Sequence, residues 1–196
     1  MNTTRKLSTQ KLVAGAMLTA LVILLQYVCR FLRFGPFSIT LVQIPIIIGA
    51  ATCGAGIASW LGLVFGFAVI IFGDAAPFFA VNVPGTIITV LSKGVLCGIG
   101  AWGTYAGVKK LLAKFKSADY ISVMAAAVVC PFINTGVFLI CCFIFFYGTM
   151  VEWAGGENVI RYMIFGLVGF NFFVEVLSNV LLSPVATRIL KIRRMK

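Results

Sequence analysis

Histidine is absent from the 196 residues, and only five side chains are acidic. Any chemistry must come from a few polar groups set in apolar stretches. Asn171, Glu175 and Asn179 recur at four-residue intervals, which places all three on one face of a helix. Ser178 and Ser183 lie near that stripe. Asn134 and Thr135 interrupt a second apolar run; Ser92 and Lys93 interrupt a third, with Asn82 just before it. A polar group facing lipid has no partner for its hydrogen bonds, so these side chains must face inward. Polar groups at membrane depth are costly and are functional candidates by default. Lys93, Asn134, Asn171, Glu175, Asn82, Asn179 and Arg161 are therefore the expected lining of a polar pocket. Asn171 and Asn179 fit hydrogen bonding between helices, worth about 0.6 kcal/mol per contact, as well as they fit ligand contact. Lys93 and Glu175 have a higher burial cost and point to a pocket or to pairing with each other. A cation in a dry site favours a carboxylate ligand.

Other chemistries lack their residues. The chain has no G-x-x-x-x-G-K-[ST] phosphate loop, so it has no such route to ATP hydrolysis. No acid pair or activated nucleophile stands out, and an enzyme is not expected. Without histidine, and with no C-x-x-C spacing among Cys29, Cys53, Cys97, Cys130, Cys141 and Cys142, neither a metal site nor a cofactor is expected. The cysteines read as small apolar residues of packed helices.

The elements that must carry these groups follow from composition. Hydrophobic residues make up 61% and charged residues 11%, against about 45–50% and about 25% in soluble domains. This excludes a water-soluble enzyme and a disordered chain alike. The pattern is that of an all-α polytopic membrane protein, a single domain over 1–196. Six spans are expected, at about 9–29, 40–54, 56–73, 86–108, 120–147 and 161–187. The second is short and carries Pro45. Gly35-Pro36, Gly73 to Gly85 and Gly148 to Asn158 read as loops. The apolar stretch from Leu12 to Cys29 is too long for a signal peptide and is followed by Arg30, so it reads as the first span.

Twelve of the sixteen basic residues fall in three clusters: Arg5, Lys6 and Lys11; Lys109, Lys110, Lys114 and Lys116; and Arg188, Lys191, Arg193, Arg194 and Lys196. Clusters at the ends of apolar segments mark cytoplasmic loops and place both termini inside, a parity that six spans satisfy. The net charge of +11 is thus a topology signal with some attraction to anionic lipid, not a nucleic-acid footprint. The pocket then opens outward, roofed by the outer loops. Three small-xxx-small pairs, Ala16/Ala20, Gly62/Gly66 and Gly94/Gly98, allow close helix approach, either within the chain or against another subunit docked on spans one to three.

Several stretches resemble a known family: Phe37-Ser-Ile-Thr-Leu-Val-Gln-Ile-Pro-Ile46, Leu63-Val-Phe-Gly66, Pro131-Phe-Ile-Asn-Thr135, and Glu175 with Leu181-Leu-Ser-Pro184. With six short spans and inside termini, the chain resembles the substrate-binding S components of energy-coupling factor (ECF) vitamin transporters over essentially its whole length. The resemblance implies a capture subunit of the cell membrane that binds a small vitamin in its outer half. Such a subunit docks through spans one to three, with Ala16 and Ala20 in the matching small-residue positions, on a transmembrane coupling subunit driven by two cytoplasmic ATPases. It also implies that the whole subunit topples in the membrane to carry its substrate inward. The Asn-Thr of span five and the Glu of span six are similar to the pantothenate-type branch. The riboflavin branch has an acidic residue in span two and a Lys-Asn pair in span three, where this chain has Gln43 and Trp60. Riboflavin or folate is the alternative substrate. An ion-coupled secondary transporter using Glu175 or Asp74 as a proton site is the alternative mechanism, and a ligand-free assembly protein is a third class.

Overall fold

The computed structural model describes residues 9–31, 33–34, 37–38 and 40–194; Arg5, Lys6, the Gly35-Pro36 pair, Ile39 and Lys196 lie outside them. Among the described residues, four helices are long and apolar enough to cross a membrane: α1 (Thr9–Cys29), α5 (Val83–Leu111), α6 (Ala118–Phe145) and α9 (Gly169–Arg194). Two shorter ones complete the bundle, α2 (Gln43–Cys53) and α3 (Ala55–Ile71). At 1.5 Å per residue α3 reaches about 26 Å, nearly the hydrocarbon thickness, whereas the 11 residues of α2 reach only about 16 Å.

That shortfall explains where α2 sits. Gln43, Pro45, Ile46, Ile47, Ile48, Gly49, Ala50 and Cys53 are all buried, so this half-length helix is enclosed on nearly every side. Its far end turns directly into α3 through Gly54, whose φ of 96° suits glycine. Before it, residues 40–42 are non-helical, and Thr40 and Val42 are buried. Irregular backbone at membrane depth survives only where protein or a cavity surrounds it. Earlier still, Arg33–Phe34 (β1) pairs antiparallel with Phe37–Ser38 (β2).

The segments expected as loops are partly helical. Ala76–Phe79 forms a short helix, α4. Pro84, expected in the loop, lies in the first turn of α5, where its missing N–H costs nothing. Tyr147–Ala154 forms α7, closed by Gly155 in the left-handed region at φ 58°. Asn158 then caps α8 (Val159–Arg161), accepting from the N–H groups of Ile160 and Arg161. A π-helical turn, Tyr162–Leu167, leads into α9. The chain therefore enters its last long helix at Gly169, eight residues later than the sequence pattern suggests.

Small residues set the centre of the bundle. On α3, Ile57, Ala58, Leu61, Gly62, Phe65 and Gly66 form a buried stripe at helical spacing. It faces Val90, Gly94, Cys97 and Gly98 of α5 at backbone contact distance. A Cβ on Gly62 would run into the carbonyl of Gly94, one on Gly94 into that of Gly62, and one on Gly98 into that of Ala58. The Gly62/Gly66 and Gly94/Gly98 pairs thus pack α3 on α5 within the chain. Ala16 and Ala20, by contrast, lie on the exposed side of α1, opposite buried Gly15, Val22, Gln26 and Cys29. All six cysteines are free and buried, and Cys97 of α5 meets Cys130 of α6 sulfur to sulfur at 2.8 Å.

The α3–α5 contact leaves no room for a methyl group. Gly94→Ala is expected to cost about 1–3 kcal/mol and to lower the unfolding midpoint in detergent. Gly103→Ala, on the same helix but in open space, should leave the midpoint unchanged or slightly raised. Equal midpoints for the two variants would contradict the close approach.

Candidate functional site

Lys93 enters the bundle interior because α5 starts at Val83. It stands ten residues, about 15 Å, along the helix, deeper than the turn or two suggested by the sequence. Its side chain borders a cavity of about 90 Å³. The ammonium lies 5.2 Å from the ring centre of Phe138 and 5.8 Å from that of Phe65. Aromatic faces attract a cation without neutralising it. No carboxylate lies within ion-pair distance of Lys93 among the described residues. A cation at this depth, set against ring faces and facing Glu175 across the cavity without forming an ion pair, is available to an anion.

The opposite wall comes from α6 and α9. Asn134 sits midway along α6, one turn after Pro131, and is buried with Phe138 on the same face. Asn171 and Glu175 line the cavity from α9, as their spacing requires. The carbonyl oxygens of both Asn134 and Asn171 are buried without a hydrogen-bond partner. Buried polar atoms are normally satisfied, so two orphans facing one cavity call for donors from something that enters it.

Glu175 is held from below. Gln43, the first residue of α2, donates its amide N–H to the carboxylate at 2.8 Å. Asn179 in turn donates to the Gln43 carbonyl oxygen at 2.6 Å. Gln43 and Asn179 are completely enclosed, and Asn179 keeps one unpartnered oxygen. The half-length of α2 brings this pair together, since it starts Gln43 inside the bundle at the level of Glu175. The positive end of the helix dipole there also favours the carboxylate.

A second polar group closes the cavity toward α1. Gln26 donates to Asp74 at 2.6 Å, and Thr40 donates to the Gln26 oxygen at 3.4 Å. All three border the cavity. Thr86 and Thr89 on α5 turn their hydroxyls back onto the carbonyls of Asn82 and Gly85. The roof is aromatic: Phe78 of α4 stacks edge-on against Phe138, Phe146 and Trp153, with ring centres 5.1–5.6 Å apart.

The structure thus brings Lys93, Asn134, Asn171 and Glu175 to one cavity and leaves three expected members outside it. Asn82 caps α5, its side-chain oxygen accepting from the Gly85 N–H at 2.9 Å. Arg161 is exposed on α8. Asn179 stands one layer below, bonded to Gln43. Conversely, the cavity also takes residues from α1, α3 and the segment before α2, none of which was an expected member. Gln26, Thr40 and Gln43 carried a signal only as polar residues flanking apolar runs. Their partners are 48, 14 and 132 residues away in sequence, which local spacing does not reveal.

Because Gln43 bonds both Asn179 and Glu175, the two amides should be energetically coupled. A double-mutant cycle with Gln43→Leu and Asn179→Leu, read by thermal unfolding, is expected to give a coupling energy of about 0.5–1.7 kcal/mol. Strictly additive effects would contradict the bond.

No curated protein matches this chain. A family model, ECF transporter substrate-specific component, matches residues 10–186. With the match covering all but the ends of the sequence, and with long apolar helices around a cavity lined by polar and aromatic side chains, the chain belongs to the substrate-specific components of ECF transporters, multi-pass plasma-membrane transport subunits rather than enzymes.

Proposed function

We propose that this subunit captures a small carboxylated vitamin, pantothenate in the first place, in the cavity between α3, α5, α6 and α9. The observation that carries this reading is the Lys93 ammonium, held against two phenylalanine faces without an ion-pair partner among the described residues. A carboxylate there gains a charge-assisted hydrogen bond in a site that excludes water. The unpartnered oxygens of Asn134 and Asn171 then ask for hydroxyl or amide N–H donors on the same ligand. Pantothenate carries one carboxylate, an amide and two hydroxyls, which matches both demands. Its apolar carbons have Phe65, Phe78 and Phe138 to rest against. Glu175, fixed by Gln43, which Asn179 holds in turn, faces the same cavity and accepts a further donor from the ligand.

Both termini and the basic ends of α1, α5 and α9 lie on the cytoplasmic side in this proposal, and six segments cross or enter the membrane. The cavity sits toward the other end of α5 and opens outward. Energy comes from outside the chain, through a coupling subunit and two ATPases. Ala16 and Ala20 form part of the surface that meets the coupling subunit. Their exposure on α1, away from the packed Gly15 side, supports that role.

Two measurements test this. Lys93→Met should weaken pantothenate binding to the purified chain by about 10- to 100-fold, the usual range for a lost bond to a charged group. The analogue with an alcohol in place of the carboxylate should be affected far less. Equal losses for both would remove the charge argument. Ala16→Leu or Ala20→Leu should block uptake in cells and leave binding by the purified chain intact. Loss of binding would assign these alanines to the fold instead.

A further inference from the structure

A second depression, of about 480 Å³, lies at the opposite end of α5 from the cavity. Lys11 of α1 borders it on one side. The end of α2 and its turn, Ala50 to Gly54, form the floor. Trp102, Tyr105, Lys109 and Lys110 of α5 form the other wall. Three lysines therefore converge where three helices end. Only one is neutralised: Lys109 pairs with Asp119 at 3.1 Å and donates to the Tyr105 hydroxyl at 3.2 Å. Lys11 and Lys110 have no carboxylate within ion-pair distance among the described residues. Gly54 opens α3 at the floor without a side-chain cap.

Exposed apolar side chains also neighbour the groove's lysines in sequence. Leu12 beside Lys11, Leu111 beside Lys110 and Trp102 on the wall are exposed apolar side chains. Aromatic residues at such a level are typical of the boundary between hydrocarbon and headgroups. A ligand that fills the groove therefore meets positive charge at its head and apolar surface alongside. Basic pockets between membrane helices with these features suit anionic lipid headgroups.

We infer that this groove binds the phosphodiester headgroup of an anionic phospholipid, with Lys11 and Lys110 as its counter-charges and Trp102 beside the upper acyl chain. A zwitterionic choline headgroup would bring its cation against the same lysines and is disfavoured. The site is separate from the substrate cavity and does not depend on which substrate that cavity takes.

Native mass spectrometry of the full chain, titrated with phosphatidylglycerol or phosphatidylcholine of the same acyl chains, tests this. The expected result is selective retention of phosphatidylglycerol. Lys11→Gln with Lys110→Gln should weaken that retention by about thirtyfold. Lys114→Gln with Lys116→Gln, the same charge loss outside the groove, should not. Equal retention of the two lipids by the unaltered chain would overturn the site without recourse to any variant. So would equal weakening by the two variant pairs, which would mean diffuse charge attraction. Displacement of the lipid by an equal concentration of inorganic phosphate would assign the groove to a soluble anion and contradict the lipid.

Discussion

Hydrocarbon offers no hydrogen-bond partners, and this constraint organises the molecule. Every polar side chain carried to membrane depth must meet another polar group or a ligand. Glu175, Gln43 and Asn179 meet one another, and Gln26, Asp74 and Thr40 do the same on the far wall. Lys93 and the oxygens of Asn134 and Asn171 remain over at the cavity, and the Asn179 oxygen remains over one layer below it. The satisfied groups hold the shape of the site, and the unsatisfied ones define what it lacks.

The fold supplies that arrangement through two local features. Glycine and alanine on α3 and α5 let the two backbones touch, which fixes Phe65 and Lys93 as neighbours across the contact. The half-length α2 begins inside the bundle rather than at its surface. Its first residue can therefore reach α9, and the non-helical stretch before it becomes cavity wall. A full-length second helix would carry Gln43 into an ordinary helix–helix contact, away from Glu175.

Much of this was legible in the sequence, for reasons that are local. Four-residue spacing put Asn171, Glu175 and Asn179 on one face, and the apolar runs marked the long helices. Among the described residues, Lys11, Lys109 and Lys110, drawn from two of the basic clusters, gather at one end of the bundle. What stayed hidden depends on distant partners. Asn82 before Pro84-Gly85 looks the same whether it faces a ligand or caps a helix, and only the bond to the Gly85 N–H decides. Gln43 looked like a lone amide at the edge of an apolar run until Glu175 and Asn179 were placed beside it. The small-residue pairs carried two meanings, and the packing of α3 on α5 accounts for two of the three.

In the proposed function, the leftover polar groups bind one anionic small molecule. The most direct measurement is mass spectrometry of the small molecules released by denaturing the chain after purification from cells grown in vitamin-rich medium. About one equivalent of a carboxylate-bearing compound with several hydrogen-bond donors is expected. A stoichiometric compound without an anionic group, or a chain that stays empty under those conditions, would contradict it.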